Sequence, residues 1–296
     1  MNSSSIIARK LALGTVQFGL DYGVANQSGR VTVEEGQKIL AETRRAGVDT
    51  LDTAIAYGDS EATLGKIGVG NWRIVSKLPK MPEGTLDVEG WVEAQIAGSL
   101  SRLGIGQLDG LLLHYPAQVL QGEGCRLSAA LQRAKDNGLV KKIGASIYSP
   151  DELPPLLDAF DMSLVQLPLN ILDRRIIDSG GLARMSLAGV EVHVRSIFLQ
   201  GLLLLAESQR PEKFSRWHSL WKAWDSWLKE NNLSALEACL SFVLHQEMVS
   251  KIVVGVDGVS QIRQILSLPD RKLSELPNFS GLYDEQLINP MNWSRL

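Results

Sequence analysis

Cysteine, long apolar runs and excess charge are all scarce in this chain of 296 residues. The two cysteines, Cys125 and Cys239, stand far apart and in no metal-ligand spacing, so we expect reduced packing residues rather than a disulfide or a zinc site. No apolar run approaches the roughly 20 residues that a membrane-crossing helix needs. The segment Met1–Lys10 is polar and lacks the apolar stretch of a signal peptide. These absences favour a cytoplasmic protein.

The charge balance excludes two classes of partner. A net charge of -3 gives no basic surface for nucleic acid or for an acidic membrane. We therefore expect a small-molecule partner, and the oligomeric state stays open. No metal is expected either, because the histidines have no ligand-like spacing with cysteine or acid. They are His114, His193, His218 and His245. His193 falls inside a predicted strand and is interpreted as a packed, hydrogen-bonded core residue.

Short apolar runs alternate with amphipathic segments along the chain. Eight βα units without a linker predict a single-domain (β/α)8 barrel, the TIM-barrel fold, over residues 1–296. The predicted strands lie at about Leu11–Thr15, Val48–Ala54, Arg73–Leu78, Leu108–His114, Val140–Ser146, Leu164–Asn170, Val190–Ile197 and Lys251–Val256. The predicted helices include Val33–Ala46, Trp91–Leu103, Cys125–Asn137, Ala235–Gln246 and Ser260–Leu266. A doubly wound sheet is disfavoured, because no G-x-G-x-x-G fingerprint follows the first predicted strand.

One insertion, at about Ala206–Asn232, interrupts the βα repeat. Its tryptophans are spaced to share one helical face. They are Trp217, Trp221, Trp224 and Trp227. Two interpretations stand: the stripe packs on the barrel exterior, or one or two of its rings reach over the mouth and shape a substrate pocket.

Four polar side chains follow consecutive predicted strands. Asp52 and Tyr57 follow the second strand, Lys77 ends the third and His114 ends the fourth. The carboxyl ends of barrel strands face one mouth, so we expect these side chains to converge. Taken singly, each has a structural explanation as a helix cap, a solvated loop residue or a buried imidazole. Together they favour a catalytic site.

These four residue types suit hydride chemistry on a carbonyl. Reduction leaves an alkoxide that needs a proton from a positioned acid. A lysine ammonium beside a phenol is expected to lower the phenol pKa from about 10, and a carboxylate holds the lysine in place. An imidazole can hydrogen-bond the carbonyl oxygen. The same groups run backwards oxidise an alcohol.

The sequence resembles the aldo-keto reductase superfamily, as a bacterial member, over nearly its whole length. The resemblance rests on Leu13–Gly19, Asp52-Thr53-Ala54 with Tyr57-Gly58, Ser76-Lys77, Leu113-His114, Gln166 with Asn170, and Phe198–Gly201. It implies that Tyr57 donates the proton, that Lys77 and Asp52 tune it, and that His114 orients the substrate.

The resemblance also implies a nicotinamide cofactor along the barrel mouth. The expected contacts are Thr15, Ser146, Gln166, Arg195, Ser196, Phe198, Gln200, Gly201, Gly255, Val256, Asp257 and Gln261. Ser146 and Gln166 match the residues that hold the nicotinamide carboxamide, although Ile147 replaces the usual asparagine. Arg195 stands where many members stack an aromatic ring on the nicotinamide. It can stack there, meet an anionic substrate group, or form a salt bridge at the rim.

The loop after the eighth predicted strand, Gly255–Arg263, resembles the family's adenosine-phosphate loop. The basic side chains that usually clamp a 2′-phosphate are missing, and Asp257 would repel that group or accept a ribose hydroxyl. Arg263 can compensate from the next helical turn. The resemblance therefore favours NADP(H), with NAD(H) as the alternative.

Three functions are consistent with the sequence. The first is an NADP(H)-dependent reductase of an aldehyde or ketone, with a sugar-derived carbonyl compound as a candidate substrate. The second is an NAD-dependent aldose or alcohol dehydrogenase. The third is a cofactor-binding regulatory subunit without turnover, which the intact catalytic set disfavours. The expected substrate contacts are Asp21, Tyr22, Asn26, Tyr148 and Asn170, besides Arg195.

Overall fold

Eight parallel strands form a closed barrel in a computed structural model that describes residues 5–296. The strands pair in chain order, and the last pairs with the first in parallel. They are β1 Leu11–Gly14, β2 Thr50–Asp52, β3 Arg73–Leu78, β4 Leu108–Leu113, β5 Val140–Ser146, β6 Leu164–Pro168, β7 Glu191–Arg195 and β8 Lys251–Gly255. The predicted barrel is confirmed, and residues 1–4 of the polar N-terminal segment lie outside the described residues.

Helices lie before the first strand, in the connections between strands and after the last strand. They are α1 Ile6–Lys10, α2 Val33–Arg45, α3 Ser60–Ile67, α4 Val88–Leu103, α5 Gly124–Asp136, α6 Leu153–Ala159, α7 Arg175–Asp178, α8 Gly181–Leu187, α9 His218–Glu230, α10 Ala235–Leu244, α11 Val259–Leu266 and α12 Glu285–Ile288. Helix α4 begins earlier than predicted because the Asp87 side chain accepts a hydrogen bond from the Gly90 amide. Between residues 5 and 296, no helix is long and apolar enough to cross a membrane.

Side chains fill the interior of the barrel. Val75, Leu112 and Leu164 form a buried cluster of their own inside the ring of strands. Gly144 leaves room for this close packing, because a Cβ there would collide with the Leu164 carbonyl oxygen. The barrel is therefore closed below its mouth, and a ligand has to enter from one end.

Charged side chains close the opposite end of the barrel, where the strands begin. Arg73 donates to Asp109 at 3.0 Å, and Lys142 lies 3.6 Å from Asp109 and 2.5 Å from Glu191. His193 is buried, and its Nε2 lies 2.8 Å from the Glu191 carboxylate. This confirms His193, in the middle of β7, as a packed, hydrogen-bonded core residue.

The tryptophan stripe packs on the exterior of the barrel. Trp224 is fully buried and donates from its indole nitrogen to the Leu203 carbonyl oxygen at 3.2 Å. Trp221 donates in the same way to Phe214 at 2.8 Å, and Trp227 stacks on Trp224 with centroids 5.8 Å apart. Within the described chain, none of the four tryptophans lines the cavity at the mouth. The exterior-packing interpretation is therefore the one that the structure supports.

Truncating Trp224 to alanine is expected to destabilise the fold by about 3–5 kcal/mol, because the change leaves a large cavity and an unpaired carbonyl group. Urea unfolding of Trp224→Ala beside the half-buried Trp227→Ala measures this difference. Cofactor affinity of the folded variant should stay within about twofold, because the indole lies outside the cavity. Equal stability losses for both variants would contradict the assigned packing.

Candidate active site

The carboxyl ends of the strands surround a cavity of about 510 Å³. Of the predicted catalytic residues, Asp52, Tyr57 and His114 line it. Lys77 lies beneath the floor and is fully buried. The structure thus brings together four residues from β2, β3 and the segments that follow β2 and β4, as predicted.

A buried ion pair joins Asp52 in the cavity wall to Lys77 beneath it. Lys77 Nζ donates to Asp52 Oδ1 at 2.6 Å and to the Thr53 carbonyl oxygen at 2.8 Å. Gln166 Nε2 donates to the other carboxylate oxygen of Asp52 at 2.6 Å. Burial lowers the pKa of Lys77, but Asp52 and Tyr57 more than offset this, and the net pKa lies above its ordinary value. Lys77 therefore keeps its proton and its positive charge beneath the mouth.

Tyr57 sits in the turn between β2 and α3, directly above this pair. The turn rests on the loop after β1, and a Cβ at Gly19 would collide with the Tyr57 carbonyl oxygen, so glycine is required there. Lys77 Nζ lies 4.9 Å from the centroid of the Tyr57 ring. The His114 ring meets Tyr57 edge to face, with centroids 5.9 Å apart. The phenol is thus held between an ammonium and an imidazole.

The net shift of the Tyr57 pKa is opposite to the sequence-based expectation. Desolvation raises the pKa of Tyr57 more than the Lys77 ammonium lowers it, and the Asp52 carboxylate adds to the increase. The expectation considered only the charge of the lysine and left out the burial of the phenol. Tyr57 therefore remains protonated across the neutral range, which is the state required of a proton donor.

His114 is uncharged at neutral pH. Desolvation, followed by the charges of Lys77 and Arg195, lowers its pKa to about 4. Its Nδ1 is buried without a hydrogen-bond partner in the described structure. A neutral imidazole offers one N–H donor and one acceptor nitrogen, so His114 can donate to a carbonyl oxygen without itself supplying a proton.

Close to the predicted catalytic residues, two buried polar atoms have no hydrogen-bond partner among residues 5–296. They are the hydroxyl of Ser146 at the end of β5 and Oε1 of Gln166 in β6. A carboxamide needs an acceptor for its NH₂ group and a donor for its oxygen. The Gln166 oxygen and the Ser146 hydroxyl match these needs in chemistry, so the residues fit the nicotinamide end of the cofactor. Unlike the other predicted contacts, both are buried outside the cavity wall, and Gln166 is joined to that wall through Asp52.

The loop after β7 runs along the cavity in an unusual backbone conformation. Ser196, Leu199 and Gln200 have φ angles of 60°, 49° and 54°, a region that residues other than glycine seldom occupy. The Val24 amide donates to the Gln200 carbonyl oxygen at 3.1 Å and ties this loop to the loop after β1. Five lining residues from β7 and its loop had been predicted as cofactor contacts, and Ile197 lines the cavity without having been predicted; the five are Arg195, Ser196, Phe198, Gln200 and Gly201.

Two acidic residues, Asp257 and Glu35, lie where the segment that follows β8 meets the cavity. Thr15, Gly255, Val256, Asp257 and Gln261 line the wall, as predicted. Burial raises the pKa of Asp257, and its Oδ1 has no partner among the described residues. Glu35 accepts from the Val259 amide at 2.8 Å, at the start of α11. Arg263 donates to Glu42 at 2.8 Å and does not reach the wall.

The predicted substrate contacts divide into two groups. Tyr22, Asn26 and Tyr148 line the cavity, whereas Asp21 and Asn170 do not. Asn170 is fully buried and donates to the Ser196 carbonyl oxygen at 3.1 Å. Its side-chain oxygen accepts from two backbone amides, so Asn170 supports the β7 loop from a buried position outside the cavity wall.

Gln17 is a lining residue that sequence reasoning missed. It is nine-tenths buried, and its Oε1 has no partner in the described chain. Gln17 lies two residues after the predicted contact Thr15, inside the segment that carries the family resemblance. The available signal was a polar residue in an otherwise apolar segment at the end of a strand.

The sequence profile of the aldo/keto reductase family matches residues 10–276. The chain belongs to the aldo/keto reductase family. An aldo-keto reductase of Mycobacterium sp. (strain KMS) is 29% identical over 134 residues, or 43% of this chain and 46% of that protein. The match thus spans about half of that relative. The NADH-specific methylglyoxal reductase of Escherichia coli (strain K12) is 24% identical over 93% of this chain and 94% of its own. A solved aldo-keto reductase from Bacillus halodurans, in its holo form, has a TM-score of 0.67 at 19% identity and shares the fold over 87% of this chain and 85% of its own.

Proposed function

We propose that this aldo/keto reductase reduces an aldehyde or ketone to an alcohol with a nicotinamide cofactor, and that Tyr57 is the proton donor. One observation carries the proposal. A protonated phenol stands over a buried ammonium–carboxylate pair and beside a neutral imidazole, at the wall of a cavity large enough for small molecules.

Each residue has a separate task in this reaction. A bound reduced nicotinamide supplies the hydride to the carbonyl carbon. The His114 N–H hydrogen-bonds the carbonyl oxygen and stabilises the negative charge that develops there. Tyr57 transfers its proton to that oxygen, and the nearby Lys77 ammonium stabilises the phenolate that is left. Asp52 holds Lys77 in position through the 2.6 Å hydrogen bond.

At neutral pH Tyr57 is in the protonation state that reduction requires. Alcohol oxidation needs the phenolate form of Tyr57, and the raised pKa of Tyr57 makes that form scarce at neutral pH. Steady-state assays of NADH oxidation against a panel of aldehydes and aldoses test the function directly. Turnover supports the reductase, whereas tight cofactor binding without turnover of any carbonyl supports a regulatory subunit.

For the cofactor, we propose NAD(H) rather than the NADP(H) that the family resemblance favoured. Glu35 accepts a hydrogen bond from the Val259 amide at the start of α11, and Asp257 is a second acidic residue in this region. A 2′-phosphate would meet both carboxylates, while Arg263 is held by Glu42. A ribose hydroxyl can instead donate to the unpartnered Asp257 oxygen. The NADH specificity of the Escherichia coli relative supports the same preference.

Replacing Asp257 by serine is expected to raise kcat/KM for NADPH about tenfold, because a like-charge repulsion is removed. The same change should lower kcat/KM for NADH a few-fold. The measurement compares both cofactors with one aldehyde, together with calorimetric affinities for NAD⁺ and NADP⁺. Asp161→Ser, on an exposed loop, removes an equal charge far from the cavity and serves as the control. A wild-type enzyme that prefers NADPH would overturn the assignment.

A further inference from the structure

Arg195 brings a positive charge without a carboxylate partner into the cavity lined by Asp52, Tyr57 and His114. The region around these three residues is called the catalytic part of the cavity. Arg195 ends β7 and lines the cavity wall. Its hydrogen bonds are to neutral oxygens, the Ile147 carbonyl at 3.2 Å and the Ser196 hydroxyl at 3.3 Å. Among residues 5–296, no carboxylate lies within ion-pair distance of it, so the rim salt bridge considered from the sequence is absent. The guanidinium is fixed by packing, and its charge is left uncompensated.

The orientation of Arg195 is well defined. Its guanidinium carbon lies 4.2 Å from the centroid of the Tyr148 ring, so that ring covers one face of the group. A guanidinium carries five N–H donors. Two nitrogens each use one donor in the bonds to Ile147 and Ser196, which leaves three donors without a protein acceptor. These donors are available to a molecule in the cavity.

No other charge in the catalytic part of the cavity cancels that of Arg195. The carboxylate of Asp52 is neutralised by Lys77 at 2.6 Å, and His114 is uncharged at neutral pH. Arg195 lines the same cavity as Tyr57 and His114, the two residues assigned to the reacting carbonyl. The catalytic part therefore has a net positive charge before any substrate binds, and this attracts an anion.

We propose that Arg195 determines substrate specificity by binding an oxyanion on the substrate, so that the carbonyl compounds reduced best carry a carboxylate or phosphate group. The planar fork of N–H donors matches either oxyanion. This inference rests on the proposed carbonyl reduction, since it names the substrate class of the same site. Tyr22 and Tyr148, which line the same wall, form the surroundings of the anionic group.

The test uses pairs of aldehydes that differ only in an anionic group. They are benzaldehyde with 4-carboxybenzaldehyde, butanal with 4-oxobutanoate, and glyceraldehyde with glyceraldehyde 3-phosphate. For the wild type, we expect a higher kcat/KM for the anionic member of a pair. The second and third pairs distinguish a carboxylate from a phosphate as the preferred group.

Arg195→Gln should lower the ratio of anionic to neutral kcat/KM by about 10- to 100-fold, mainly through KM, because a charged hydrogen-bond partner is lost. The ratio is the readout, because loss of the charge near Tyr57 affects both members of a pair alike. Arg195→Lys keeps the charge without the planar fork and should retain an intermediate ratio. Arg184→Gln, an exposed position on α8, should leave the ratio unchanged. An unchanged ratio in Arg195→Gln would overturn the inference.

A binding measurement separates this inference from the proposed function. If the wild type turns over no carbonyl compound, the proposed function fails, and calorimetry with 4-carboxybenzyl alcohol and benzyl alcohol then decides the anion site. Tighter binding of the carboxylate by the cofactor-loaded wild type, lost in Arg195→Gln, supports the site. Equal binding of both alcohols overturns it.

Discussion

Replacing Tyr57 by phenylalanine is expected to lower kcat for carbonyl reduction by about 10²–10⁴-fold, the usual contribution of a positioned general acid. The change removes one oxygen atom and keeps the ring that packs edge to face on His114. Affinity for NADH should therefore stay close to that of the wild type. Single-turnover assays with saturating NADH measure the loss, and fluorescence titration measures the affinity.

Tyr115→Phe is the matched control for this substitution. Tyr115 follows His114 in the chain, and the centroids of the His114 and Tyr115 rings lie 5.8 Å apart. Tyr115 is exposed and does not line the cavity. We expect its rates to stay within about threefold of the wild type, since no proton transfer is assigned to it. Similar kcat values for wild type and Tyr57→Phe would rule out Tyr57 as the acid.

Replacing Lys77 by methionine is expected to destabilise the fold by about 3–5 kcal/mol, because it leaves the Asp52 carboxylate buried without its counter-charge. The folded-state pKa of Lys77 lies above its ordinary value of 10.5. Its stabilising contribution is therefore fully present at neutral pH and is lost only as the pH rises through the folded-state pKa. Urea unfolding at pH 7 measures the difference in the free energy of unfolding, with the exposed Lys66→Met as control.

The double variant Asp52→Asn/Lys77→Met tests the cause of that loss. Removing both charges should recover part of the stability, because the buried uncompensated charge is gone. Activity should stay low in both variants, since nothing stabilises the phenolate. The assigned ion pair would be contradicted if Lys77→Met were as stable as the wild type. It would also be contradicted if the double variant lost more stability than Asp52→Asn and Lys77→Met lose in sum when each is made alone.

The single substitution Lys77→Met also changes the pH dependence of the reaction. Reduction needs protonated Tyr57, so kcat/KM should be level through neutral pH and fall only above the raised pKa of Tyr57. Lys77 lowers that pKa, so the alkaline limb of Lys77→Met should move to still higher pH.

Sequence reasoning was most accurate where a residue's place follows from the repeat of strand and helix. Asp52, Lys77 and His114 lie at or next to the carboxyl ends of consecutive parallel strands, and the closed barrel brings such ends together whatever the side chains are. Asn170 misled because polarity and position after a strand do not reveal whether hydrogen bonds are already made. In the structure its amide is buried and bonds the neighbouring backbone through both its nitrogen and its oxygen.

Periodicity and the polar residues at strand ends were enough to specify the barrel and the four residues at its mouth, because both depend on spacing along the chain. The direction of the Tyr57 pKa shift, the engagement of Arg263 by Glu42 and the uncompensated charge of Arg195 depended on the tertiary structure. Desolvation and pairing are set by neighbours from distant parts of the chain. The tertiary structure, by fixing those neighbours, therefore decided the electrostatics of the site.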